Sequence, residues 1–228
     1  MPDTHADNDH NLIFNTPVLL VGGAGVDEAT LRSDAFSHWP IIAADGGANA
    51  LREFDIMPTA IIGDLDSLTD REYWQAKTRV VQIFEQDTTD FEKCLYKVDA
   101  PLLVAFGFTG RRFDHTLVSL HLLQKYTPAV KLILLTEQDV CFAVRGNLQL
   151  QLPLGSRFSL YPLSRCVFTC STGLEYPLDD LVLEQGHMIG TSNRVAEAAI
   201  TIEADSAGVY AVITERKLLP LIVDQLIR

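Results

Sequence analysis

Thr59-Ala60-Ile61-Ile62-Gly63-Asp64-Leu65-Asp66-Ser67 is a short apolar run that stops at a glycine and two spaced carboxylates. No polar residue interrupts Ala60–Ile62, so the run predicts a strand buried on both faces. The same design recurs along the first half of the chain. Pro17–Val21 stops at Gly22-Gly23-Ala24-Gly25, Ile41–Ala44 at Asp45-Gly46-Gly47, and Val80–Phe84 at Gln86-Asp87; Leu102–Phe106 stops at Gly107, and Lys131–Leu135 closes the series. Segments of helical spacing separate these runs, the first reading from Asp27 to His38. Continuous apolar strands alternating with helices predict a mostly parallel sheet with helices on both faces, an α/β fold. Ligands bind such sheets outside the carboxyl ends of the strands, where the glycines and acids fall here.

After about Thr136 the pattern changes. Cys141–Val144, Leu148–Leu152, Arg157–Tyr161, Val167–Cys170, Val195–Ile202 and Gly208–Thr214 read as closely spaced strands with turn residues between them, and Lys217–Ile227 as a closing helix. That spacing predicts an antiparallel sandwich or barrel. The chain therefore divides into a disordered tail at 1–15, an α/β domain at 16–137 and an antiparallel β domain at 138–228, with the boundary near Glu137.

Composition bounds the partners. The chain has 228 residues, 47% of them apolar, and a formal net charge of −12. Such an acidic surface excludes a nucleic-acid partner, which needs a basic one. It leaves room for small phosphorylated ligands, because a bound cation reconciles carboxylates with an anionic nucleotide. No apolar run approaches the roughly 20 residues that span a bilayer, and Met1–Asn11 holds no signal-peptide core. Four cysteines, Cys94, Cys141, Cys166 and Cys170, form no C-x-x-C pair and no zinc-like cluster. They read as free thiols of a cytoplasmic protein.

Four segments carry chemistry, and each has a plain structural reading beside the functional one. Asp64 and Asp66 lie two apart after a strand, so in extended chain they face the same way. They either share a cation such as Mg²⁺ or divide into a helix cap and a solvated acid. In Gln86-Asp87-Thr88-Thr89-Asp90-Phe91-Glu92-Lys93, Thr88 or Thr89 is an N-cap and Asp90 and Glu92 suit the positive end of the helix dipole. Capping does not explain so many acids and hydroxyls in one strand-end loop, and Asp90 reads as a third metal ligand. Gly107-Phe108-Thr109-Gly110-Arg111-Arg112-Phe113-Asp114-His115 sets two arginines beside a glycine turn, offering bidentate grips on phosphate. Asp45-Gly46-Gly47-Ala48-Asn49 permits close backbone approach before a helix N-terminus that attracts anions.

Taken together these segments resemble the thiamine pyrophosphokinase family. The resemblance runs from Val18 to about Val212 on D-G-G-A-N at 45–49, G-D-L-D-S at 63–67, Q-D-T-T-D-F-E-K at 86–93 and R-F-D-H at 112–115; Thr172–Leu178 and Gly190-Thr191-Ser192-Asn193 match later motifs. It implies transfer of the terminal pyrophosphoryl unit of ATP to the hydroxyl of thiamine, giving thiamine diphosphate and AMP. It implies a catalytic α/β domain that binds ATP and Mg²⁺, a β-sandwich thiamine-binding domain, and a homodimer with active sites at the subunit interface. Carried over, Asp64, Asp66 and Asp90 are the Mg²⁺ ligands, and Asp114 lies near the reacting groups, there to accept the alcohol's proton or to orient the alcohol. Asp45, Gly46, Asn49, Gln86, Thr88, Thr89 and Arg112 serve the nucleotide, and Tyr176, Ser192 and Asn193 the thiamine, reached from the partner subunit. Tyr176 stands where the family often has Trp; either ring stacks on a cationic heterocycle. The sequence departs from the family twice. Arg111 replaces a turn glycine, adding a phosphate contact or altering the loop, and Ser119 stands where an asparagine is expected. A different transferase on the same core, or a regulator that binds without turnover, are the rival readings.

Overall fold

A computed structural model describes residues 11–227; residues 1–10 of the expected tail lie outside the described residues. Contacts divide the chain into two compact units, residues 1–119 and 120–228, whereas the change in sequence pattern marks a boundary near Glu137.

The first unit holds β1 (Leu12–Ile13), β2 (Val18–Val21), β3 (Ile41–Ala44), β4 (Ala60–Gly63), β5 (Arg79–Gln82), β6 (Val98–Asp99) and β7 (Leu103–Phe106). Its helices are α1 (Glu28–Leu31), α2 (Gly47–Glu53), α3 (Arg71–Lys77) and α4 (Asp90–Lys97), and it includes the start of α5 (Phe113–Tyr126). The main strands run parallel in the order β7-β2-β3-β4-β5. Every residue of β2, β4 and β7 is buried, as continuous apolar runs demand. The order reverses between β2 and β7, the switch point where a crevice opens at the carboxyl ends. Within the expected tail, Leu12 and Ile13 instead form β1, paired in parallel with β6.

The expected helix from Asp27 to His38 is shorter than its pattern. Asp27 caps α1 by accepting from the Thr30 N–H at 2.8 Å, but the helix ends at Leu31 and a single 3₁₀ turn follows at Asp34–Phe36. The Ser37 hydroxyl bonds the Asp34 carbonyl at 3.1 Å, the local competition by which Ser and Asp break helices. By contrast α4 begins on a T-x-x-E capping box, with the Thr89 hydroxyl accepting from the Glu92 N–H at 3.3 Å.

The second unit holds β8 (Leu132–Leu135), β9 (Asp139–Arg145), β10 (Leu148–Gln151), β11 (Ser159–Pro162), β12 (Cys166–Thr172), β13 (Leu181–Leu183), β14 (Ala199–Ala204), β15 (Val209–Glu215) and α6 (Leu219–Ile227). Antiparallel pairing gives two layers, β11-β15-β9-β8 and β10-β14-β12-β13. Phe168 of one layer meets Tyr210 of the other edge to face at 5.2 Å, and the Tyr210 hydroxyl donates to the Gly146 carbonyl at 3.0 Å. The sandwich is real, and β8 pairs antiparallel with β9. Strand β13 escaped the sequence reading because its three apolar residues sit between Asp179-Asp180 and Glu184. Among the described residues no helix is long and apolar enough to cross a membrane.

Candidate active site

The carboxyl ends of the five parallel strands enclose a cleft of about 720 Å³. Its floor depends on glycine. A side chain at Gly107, which has φ +83°, would put its Cβ 2.6 Å from the Gly22 carbonyl oxygen, so the loops after β2 and β7 meet only without one. A Cβ at Gly63 would lie 2.7 Å from that of Asp45 and 3.1 Å from Asp90 Oδ1. Gly63 thus leaves room for two acids to converge.

Neighbouring β3 and β4 pair Ala44 with Ile62, which brings Asp45 beside Gly63-Asp64. The Asp45 N–H bonds the Ile62 carbonyl at 2.9 Å. Asp45 adopts a left-handed backbone, φ 41°, which aspartate tolerates better than most residues. One of its carboxylate oxygens accepts the Ser67 N–H at 3.1 Å; the other, Oδ1, is buried with no hydrogen-bond partner. Oxygens of Asp45, Asp64 and Asp66 lie within 4.8 Å of one another. A buried carboxylate with one oxygen unpaired, converging with two further carboxylates, fits a hard divalent cation.

The sequence points to Asp64, Asp66 and Asp90 as the metal trio; in the structure the three acids whose oxygens converge are Asp45, Asp64 and Asp66. Asp45, expected on the nucleotide side, takes a place in the convergent set. Asp90 stands next to that set: its Oδ1 accepts from the Asp64 N–H at 3.3 Å and from Lys93 Nζ at 3.2 Å. Lys93 is 1% exposed and also lies 3.8 Å from Asp64 Oδ2. No role for Lys93 is expected from the sequence; its position one turn after Asp90 is the signal that places it here.

These contacts set the acidities. The Gln86 amide donates to Asp64 Oδ2 at 3.0 Å, and this bond, with help from the Asp66 N–H and Lys93, holds the Asp64 carboxyl below the usual range. Burial, reinforced by Asp90, Asp66 and Asp64, pushes Asp45 up from 3.8 to about 6. An acid whose pKa is raised by folding stabilises the protein below its unfolded value and loses that contribution as pH rises through the folded one. Asp45→Asn should therefore match the parent in chelator near pH 4 and melt higher above pH 6, a gain of roughly 2–3 kcal/mol. Added Mg²⁺ should raise the melting temperature of the parent and not that of the variant. Melting curves with EDTA or Mg²⁺ across that pH range measure both; a variant that is less stable at high pH overturns the account.

Other expected residues have defined places. Gly46 and Asn49 line the cleft, but the Asn49 amide is committed: it donates to the Ser67 carbonyl at 2.8 Å and accepts from Thr69 N–H and hydroxyl at 3.0 and 2.8 Å. Asn49 thus ties α2 to the acidic loop. Gln86, Thr88 and Thr89 all line the cleft. Thr88 bonds Glu85 through both backbone and hydroxyl. Phe91 stacks on Phe108 with ring centroids 4.0 Å apart and forms part of the wall. Ser119 is buried, its hydroxyl donating to the Phe108 carbonyl at 2.8 Å, so it anchors the Gly107 loop.

Asp114, expected near the reacting groups, is not among the residues lining this cleft. It pairs with Arg112 at 2.6 Å on the surface, and that contact holds its carboxyl below the usual range. An exposed carboxylate so stabilised is a weak proton acceptor.

In the second unit, Asn193 is buried and clamps a loop: its oxygen accepts the Tyr176 N–H at 3.1 Å and its amide donates to the Tyr176 carbonyl at 2.7 Å. Tyr176, whose backbone it holds, is 61% exposed. Ser192 adopts φ 66° and its N–H bonds the Ser159 hydroxyl at 3.0 Å.

Comparison with known proteins agrees across both units. The chain matches the family model for the thiamin pyrophosphokinase catalytic domain over residues 35–134 and that for the thiamin pyrophosphokinase vitamin B1 binding domain over 147–209. It is 30% identical over 202 residues to thiamine pyrophosphokinase 1 of Arabidopsis thaliana, covering 72% of this chain and 74% of that one. It is 30% identical over 209 residues to thiamine pyrophosphokinase 3 of Oryza sativa subsp. japonica, covering 75% and 77%. The crystal structure of yeast thiamin pyrophosphokinase superposes with a TM-score of 0.76 over 100% of this chain and 96% of that one; at 17% identity this likeness speaks for the fold.

Proposed function

The chain belongs to the thiamine pyrophosphokinase family and is a thiamine diphosphokinase, and from that premise we propose that it moves the pyrophosphoryl group of ATP onto the hydroxyl of thiamine, with Mg²⁺ bound, giving thiamine diphosphate and AMP. The observation that carries the reading is the convergence of Asp45, Asp64 and Asp66 at the carboxyl ends of β3 and β4, with Asp45 and Asp64 lining the cleft and one Asp45 oxygen buried and unpaired. These three carboxylates would hold the ion, with Asp90 beside them. When bound, Mg²⁺ supplies the positive charge that lets a polyphosphate approach four carboxylates.

The protein's own groups do the positioning. Lys93 and the Asp64 N–H fix Asp90, while Gln86 orients Asp64. The glycines at 22 and 107 let the loops after β2 and β7 meet and close the floor of the cleft. Phosphoryl-type transfer asks for such placement and charge neutralisation rather than a covalent intermediate. On the thiamine side, Tyr176 offers its exposed ring to the cationic heterocycle, held by Asn193 and with Ser192 on the neighbouring loop.

A homodimer belongs to this reading. Phe113 and Leu117, one turn apart on α5, are 76% and 51% exposed and are an apolar surface that supports it. A cytoplasmic location is supported by four free thiols. The test is AMP release from ATP and Mg²⁺ with and without thiamine. We expect AMP only when thiamine is present, in equal amount with thiamine diphosphate. Thiamine-independent AMP, or binding without turnover, overturns the assignment.

A further inference from the structure

Three cations and one histidine line the cleft: Lys93, Arg111, Arg112 and His115. Lys93 is spent on Asp90 and Asp64. Arg112 is spent on Asp114, through two hydrogen bonds at 3.2 and 2.6 Å. Arg111 has no acidic partner among the described residues. It is therefore the uncommitted guanidinium of an otherwise acidic cleft. Its chemistry, a planar fork of donors, suits phosphate oxygens.

Its placement is fixed although its side chain is exposed. Ser119 of α5 holds the Phe108 carbonyl at 2.8 Å, and the Gly110 N–H bonds the Thr116 hydroxyl at 3.2 Å. Gly110 itself has φ +107° with open space where a Cβ would go, so the turn delivers Arg111 without crowding it. Arg111 follows β7, and the metal-binding carboxylates follow β3 and β4 in the order β7-β2-β3-β4. Three strand spacings of about 4.8 Å separate the two sides by roughly 14 Å at the sheet. A long arginine on one side and carboxylate-held metal on the other can close that gap onto one triphosphate.

We propose that Arg111 grips the polyphosphate of the nucleotide and sets the preference of the cleft for a nucleoside triphosphate over a monophosphate. The proposal rests on the reading of the cleft as a nucleotide site. It assigns an attractive role to a residue standing where the family resemblance leads one to expect glycine. Each charge-assisted bond to phosphate carries enough energy to change affinity about ten- to hundredfold.

The test is MgATP and AMP binding by calorimetry, with steady-state kinetics, for the full-length parent, Arg111→Ala, Arg111→Gly and Arg111→Lys. We expect MgATP affinity and kcat/KM for ATP to fall roughly ten- to hundredfold in the Ala and Gly variants. AMP affinity, the KM for thiamine and the melting temperature should stay near the parent's. Arg111→Lys should recover most of the loss, because it keeps the charge. If Arg111 only shapes the loop, the order inverts, with Gly behaving as the parent and Lys failing; that order, or unchanged ATP affinity in Arg111→Ala, overturns the proposal. A parent that binds no MgATP overturns the nucleotide reading itself, and is told apart by that measurement alone.

Discussion

Asp66→Asn is expected to lower thiamine-dependent AMP release by about two to three orders of magnitude while leaving the fold intact. The size of the effect follows from what the carboxylate faces. Asp66 shares a cation-sized space with Asp45 and Asp64, and an amide there removes a full negative charge from the ligand set. The fold is spared because the side chain is exposed and contributes one local bond, from the Ser67 hydroxyl at 2.8 Å, which an asparagine oxygen also accepts. Asp64→Asn is the less clean experiment. Asp64 also receives the Gln86 amide and the Asp66 N–H, at 3.0 and 3.1 Å, so its replacement disturbs the loop as well as the charge. Turnover measured over a range of Mg²⁺ decides the matter. Near-normal activity of Asp66→Asn at saturating Mg²⁺ would falsify the metal assignment.

The loop that carries Asp66 was legible in the sequence because parallel strands buried on both faces leave no choice: they read as unbroken apolar runs, and the first polar residue after each run marks the crevice. Val18–Val21, Ala60–Gly63 and Leu103–Phe106 show that rule residue by residue, and Ile41–Ala44 does so from Ile42 onward. Which acids converge was harder to read. Asp45 and Asp64 are nineteen positions apart in the chain, and they meet because Ala44 pairs with Ile62 across two adjacent strands. The sequence shows the two motifs; only register shows that they share a space.

Amide residues have two roles open to them at such loops. Asn49 and Asn193 read as ligand contacts, yet both spend their donors and acceptors on neighbouring loops. An asparagine next to a glycine turn serves the turn as readily as a ligand, and periodicity carries no information to separate the two. Asp114 is expected near the reacting groups. It lies one turn before the cleft residue Val118 on α5, but an arginine two positions earlier captures it on the surface.

Lys93→Met is expected to destabilise the metal-free protein by about 2 kcal/mol, and markedly less in excess Mg²⁺. Lys93 is buried at the fourth position of α4, near the positive end of the helix dipole and behind a capping box with Asp90 and Glu92. A buried ammonium at a helix N-terminus is unfavourable by itself. What retains it is the carboxylate pair, Asp90 Oδ1 at 3.2 Å and Asp64 Oδ2 at 3.8 Å. Methionine keeps nearly the same volume and shape, so little of the effect comes from packing. It leaves Asp64 and Asp90 facing Asp45 and Asp66 with no positive charge among them. Breaking a fully buried pair costs about 3–5 kcal/mol. The figure here is smaller because the Asp64 and Asp90 side chains are 15% and 30% exposed, and water screens them. For a chain of this size that deficit lowers the melting temperature by roughly 4–8 °C. A divalent ion bound to the same carboxylates replaces the missing charge, so the gap between parent and variant should narrow as Mg²⁺ rises. Melting curves of both proteins in EDTA and in Mg²⁺ read the difference directly. Equal deficits in the two conditions would mean that Lys93, the only buried cation among the described residues, serves the helix packing and not the carboxylates.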